Sequence, residues 1–66
     1  MEAVRHEIIW LHSVMGQLYG VVYLGNKWWS VLQRRHTNIL VLQNCFETQE
    51  EAEADTAELF YEELAA

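Results

Sequence analysis

Up to residue 46 the chain alternates short apolar runs, rich in β-branched and aromatic residues, with turn residues; from Glu47 onward it is mostly Glu and Ala. The first part has the punctuation of a β-meander. Gly25 and Asn26 stand between the runs Leu18 to Leu24 and Lys27 to Gln33, which predicts a hairpin closed by a two-residue turn at positive φ. Met15 and Gly16 offer a similar turn after a strand from Glu7 to Val14, and a fourth strand, Ile39 to Phe46, follows a loop around Arg35 to Asn38. The first segment also fits a helical stripe through Val4, Ile8, Leu11, Met15 and Leu18, with Gly16 as a C-cap. Strand is the preferred reading, because the stripe leaves Ile9 and Trp10 off its face.

The boundary at residue 47 carries a helix-start signal. Thr48, Gln49, Glu50 and Glu51 form a capping box, in which hydroxyl and carboxylate each satisfy the other's backbone N–H. A helix from about 49 to 64 follows, with Ala57, Phe60, Tyr61 and Leu64 spaced as its apolar side. The expected fold class is α+β: an antiparallel meander of three to four strands (about 7–46), then one C-terminal amphipathic acidic helix packed on one sheet face. Residues 1–66 make one domain.

Two-residue turns set the register, since directly opposed residues share a face. Tyr23 then opposes both Trp28 and Ile8, while Val22 opposes Trp29 and Ile9. One face collects Ile9, Leu11, Leu18, Gly20, Val22, Leu24, Trp29 and Val31, an aliphatic surface suited to the helix. The other collects Ile8, Trp10, His12, Tyr19, Val21, Tyr23, Trp28 and Leu32, an aromatic surface with polar handles. One helix covers one side, so the aromatic face, with Trp10, Tyr19, Tyr23 and Trp28, is expected to meet a partner or a second copy.

Size bears on this. A chain of 66 residues has a core worth no more than about 3–5 kcal/mol, and chains this small recruit disulfides, metals or a second copy. Cys45 is the only cysteine, so an internal disulfide is excluded and homodimerisation is favoured. One free cysteine suits a reducing, cytoplasmic setting, and no apolar run reaches the roughly 18 residues of a membrane span.

Charge adds a second candidate surface. The net charge of −6 divides into +2 over residues 1–46, where Arg5, Lys27, Arg34 and Arg35 face Glu2 and Glu7, and −8 over residues 47–66, which hold eight acids and no base. Glu51, Asp55, Glu58 and Glu62 fall along one line of the helix, a negative array suited to a basic surface on a protein partner. A solvated helix face is the plainer reading, but such faces usually interleave signs, and this one does not. A single-stranded nucleic-acid binder, with bases stacked on the aromatic face, is the second alternative, and charge argues against it, because Arg5, Lys27, Arg34 and Arg35 are too few to offset the eight acids nearby.

His6, His12, His36 and Cys45 match no zinc spacing, so neither metal nor cofactor is expected; His12 reads as an interface histidine beside Tyr19 and Trp10, and Cys45 as a packed side chain. No nucleophile–base pair or phosphate-binding glycine loop is present, and the carboxylates sit on an exposed helix, so no enzymatic activity is expected. In size and charge alone, without a shared motif, the chain resembles the small acidic proteins of phages and other mobile elements, such as anti-CRISPR and anti-restriction inhibitors. That resemblance implies a non-enzymatic inhibitor or adaptor that binds a nucleic-acid-handling enzyme or complex.

Overall fold

A computed structural model describes residues 7–66. Four strands, β1 (Ile8–Val14), β2 (Gln17–Leu24), β3 (Lys27–Gln33) and β4 (Leu40–Phe46), precede one helix, α1 (Gln49–Ala65). The strands pair antiparallel in chain order, β1-β2-β3-β4, and α1 packs on the sheet. The fold is α+β, and the first segment is a strand from Ile8 onward; Val4 and His6 lie outside the described residues.

Local chemistry accounts for the elements. Both hairpins close through pairs at positive φ, Met15 (51°) with Gly16 (86°) and Gly25 (61°) with Asn26 (64°). This is the turn whose twist matches that of the strands it joins. The capping box is complete: the Glu51 N–H donates to the Thr48 hydroxyl at 3.2 Å, and the Thr48 N–H donates to the Glu51 carboxylate at 3.2 Å.

The β2–β3 register is the one the turn predicts, with Tyr23 opposite Trp28 and Val22 opposite Trp29. Between β1 and β2 the predicted register holds only as far as His12, which opposes Tyr19. Leu11 is then an extra residue, a β-bulge, and beyond it Trp10 opposes Gly20, Ile9 opposes Val21 and Ile8 opposes Val22. Side chains alternate with a period of two, so one inserted residue moves everything N-terminal to it onto the other face. Ile8 and Trp10 therefore leave the face expected for them, and Ile9 takes their place.

Gly20 makes the bulge possible. A Cβ there would stand 2.4 Å from the Ile9 carbonyl oxygen and 2.9 Å from the Trp10 ring. The indole occupies the space a side chain would take, restoring apolar contact where the strand has none. A second irregularity lies between β3 and β4, where Trp29 opposes Cys45 but Val31 opposes Leu42.

Candidate interaction surfaces

The helix covers the face that carries Tyr19, Val21 and Ser30. Its ring Phe60 stacks on His12, centroids 4.7 Å apart and planes 14° apart, and meets Tyr19 edge-on at 6.2 Å. Tyr19, Val21, Ser30, Ala52 and Thr56 are buried between the layers. The aliphatic face, expected to receive the helix, is the one left open.

Polar groups favour this choice. The Ser30 hydroxyl, fully buried, donates to the Asp55 carboxylate at 2.6 Å, and the Asn44 side chain donates to the same oxygen at 3.0 Å. The Asn44 N–H donates to the Ser30 oxygen at 3.1 Å, closing a three-residue cluster across the layers. A buried hydroxyl without a partner would be costly, and the middle of the aliphatic face, Gly20, Val22, Trp29 and Val31, has no hydroxyl that needs one. The Thr56 hydroxyl donates back to the Glu53 carbonyl at 2.6 Å, so it is satisfied within its own turn.

The same contacts correct the helix rotation. Ala52, Thr56, Leu59 and Phe60 point inward, whereas Tyr61 and Leu64, expected to do so, are 64% and 54% exposed. Phe60 belongs to both sets. Ala52 and Thr56 are small enough for a close approach, and Asp55 holds the helix at the angle that places its carboxylate over Ser30.

The expected aromatic quartet is consequently divided. Tyr19 is 3% exposed beneath the helix, its hydroxyl accepting from the Gln17 side chain at 2.9 Å. Tyr23 and Trp28 stay on the helix side at the Gly25–Asn26 end, rings 5.2 Å apart. Trp10 is on the opposite side, over Gly20. His12, expected between Tyr19 and Trp10, instead lies under Phe60 beside Tyr19.

The acidic line is divided as well. Glu51 is a member of the capping box and Asp55 of the sheet cluster, which leaves Glu58 and Glu62 exposed. Among the described residues the one ion pair joins Lys27 to Glu47, which precedes α1. That hydrogen-bonded carboxylate raises the lysine above its ordinary pKa of 10.5. Exposed acids on α1 have no cationic partner among the described residues.

The uncovered face is built by all four strands. β1 contributes Ile8, Trp10 and Ser13, β2 Leu18, Gly20, Val22 and Leu24, β3 Lys27, Trp29, Val31 and Gln33, and β4 Leu40, Leu42 and Cys45, so the polar Ser13, Lys27 and Gln33 lie at the strand ends. Val22 and Val31 are buried by their neighbours within the sheet, while Trp10 (38%), Leu40 (48%) and Leu42 (42%) stand open. The Trp29 indole N–H donates to the Leu24 carbonyl at 3.0 Å, so its polar edge is already satisfied. Cys45 is a free, exposed thiol rather than a packed side chain.

Among the described residues no helix is long and apolar enough to cross a membrane, and no three of His, Cys, Asp and Glu stand together as metal ligands would. No protein-family model, curated protein or solved structure matches this chain.

Proposed function

We propose that this protein is a non-enzymatic protein-interaction module that binds an apolar protein surface through the open face of its sheet. The observation that carries the reading is the set of exposed apolar side chains Trp10, Leu40 and Leu42 around the buried floor of Val22 and Val31, on the sheet face that the helix does not cover. Single exposed leucines are ordinary, but a four-strand apolar face is the size of patch that marks a binding site. The free thiol of Cys45 on this face suits a reducing compartment such as the cytoplasm.

A photo-cross-linker placed at position 42, compared with one at position 58 on the outer side of the helix, tests this in the protein's own host. Covalent adducts should form from 42. Adducts from 58 alone would transfer the activity to the helix, and none from either position would end the interaction reading.

A second reading is favoured by the exposed carboxylates of Glu50, Glu58 and Glu62, which have no cation beside them among the described residues. A module of this charge would act as an inhibitor or adaptor on a basic surface, such as that of a nucleic-acid-handling enzyme. Its binding would weaken steeply with salt and would be lost in the Glu58→Lys, Glu62→Lys double variant. Asp55 is left out of that test because its carboxylate is bonded to the sheet. Binding that ignores both changes would reject the acidic helix as the contact.

A further inference from the structure

We propose that the open sheet face pairs with the same face of a second copy, giving a closed two-fold sandwich ordered helix, sheet, sheet, helix. This rests on the reading of that face as a binding surface and names its occupant.

Chemistry favours a second copy over a different protein. Faces that bind other proteins transiently keep charged and polar groups that select the partner, whereas permanent homodimer interfaces resemble a domain core cut in half. The middle of this face is of the second kind, with Ser13, Lys27 and Gln33 confined to its margins. Over a floor of Gly20, Val22 and Val31, already buried within the chain, it presents Trp10, Trp29 and Leu42, with no charge among them and the Trp29 N–H already bonded. At its margin, Lys27 is paired with Glu47. A two-fold axis sets every group against the same patch of its partner, which an uncharged face tolerates and a charged one does not.

Area is sufficient. Four strands about 4.8 Å apart, each rising about 3.3 Å per residue over seven residues, make a face of roughly 19 by 23 Å. Two such faces hide about 900 Å² in projection, close to the ~1,000 Å² floor of a specific interface and below the ~2,000 Å² and more of obligate homodimers, as suits a dimer in equilibrium with its monomer.

Electrostatics permit it. Each chain carries −6, but the acids of α1 are on the far side of its own sheet. With layers about 10 Å apart, the two helices would lie roughly 30 Å from each other, several times the ~8 Å screening length at physiological salt. Pairing through the helices would instead oppose two unpaired acidic arrays directly.

Sheet extension is the rival geometry for self-association. The bulge at Leu11 interrupts β1, and the irregularity opposite Ser30 interrupts β4. These are the two edge strands, and bulges there discourage edge-to-edge pairing.

Light scattering and sedimentation on the purified chain test the proposal. The expected mass is about twice the 7.8 kDa of one chain, and the thermal midpoint should rise as concentration goes from about 1 to 100 μM. Leu42→Glu, at an exposed position, should return a folded 7.8 kDa monomer. Tyr61→Glu, on the outer side of the helix, should remain a dimer. If Leu42→Glu does not fold, the concentration dependence of the wild-type midpoint decides alone. A 7.8 kDa wild type with a concentration-independent midpoint, a mass above the dimer, or a dimer broken by Tyr61→Glu but not by Leu42→Glu would overturn the proposal. Should the chain be monomeric while a cross-linker at 42 traps another protein, the second copy is wrong and the binding face stands. If neither dimer nor adduct forms, both fail.

Discussion

Replacing Gly20 with alanine is the sharpest probe of this structure, because the methyl group lands on backbone. Its carbon would lie 2.4 Å from the Ile9 oxygen, 3.1 Å from the Ile9 carbonyl carbon and 2.9 Å from the Trp10 ring. Relieving the closest contact toward the ~3.5 Å optimum requires about 1 Å of separation between β1 and β2. The indole can swing aside, but the Ile9 carbonyl belongs to a paired strand and cannot. Overpacking of this kind costs about 1–3 kcal/mol, and a weakened ladder hydrogen bond adds about 1 kcal/mol. The reduced freedom of the unfolded chain returns about 0.4–1 kcal/mol, leaving a net loss of about 2 kcal/mol. That is roughly half of what a core this small supplies. In urea, with a slope near 1 kcal/mol/M for so short a chain, the midpoint should fall by about 2 M at fixed protein concentration, followed by circular dichroism and tryptophan emission. Gly25→Ala is the control: no atom lies within 4 Å of the added carbon. It bears only the cost of a positive φ, about 1 kcal/mol. Equal midpoints for Gly20→Ala and the wild type would refute the bulge. Leu11 would then oppose Gly20, and Trp10 would return to the helix side.

Three further substitutions test other parts of the fold. Met15, at φ 51° and 76% exposed, occupies a backbone region that asparagine tolerates better, so Met15→Asn should stabilise the chain by about 1 kcal/mol, read as a higher urea midpoint. Asp55→Ala leaves the buried Ser30 hydroxyl only the longer bond to the Asn44 carbonyl at 3.4 Å and frees the exposed Asn44 amide to water, and should cost about 1–2 kcal/mol, a fall on the order of 10 °C in thermal midpoint. A double-mutant cycle with Ser30→Ala should give a coupling above about 0.5 kcal/mol, and strict additivity would show that the cluster is not a unit. Thr48→Ala removes the cap hydroxyl and should cost about 1 kcal/mol; amide exchange that quickens first at the start of α1 would locate the loss there, and unchanged exchange would mean the cap is dispensable.

Elements governed by neighbours in sequence were legible without coordinates. The two turns, the capping box and the change of composition at Glu47 depend on a few adjacent residues, and they bound β1 to β4 and α1 to within about a residue. The β2–β3 register was legible for the same reason, since a two-residue turn leaves no freedom. The candidate surfaces depended on more. Asp55 was visible as an acid on a helix line, but not as the acceptor for Ser30, 25 residues earlier in the chain.

What the sequence determined by itself is therefore an acidic α+β chain with a meander and a capped helix. The tertiary structure decided which face the helix covers. One extra residue at Leu11 inverted the sides of Ile8 and Trp10, because alternation carries an insertion along the whole strand. The Ser30, Asn44 and Asp55 hydrogen bonds, with the seat of Phe60 on His12 and Tyr19, put the helix over the rings. Both choices are set by contacts between residues distant in the chain, where the periodicity of any single segment carries no information. Their consequence is that the sheet face left without a helix is the aliphatic one, floored by Val22 and Val31 and edged by Trp10 and Leu42.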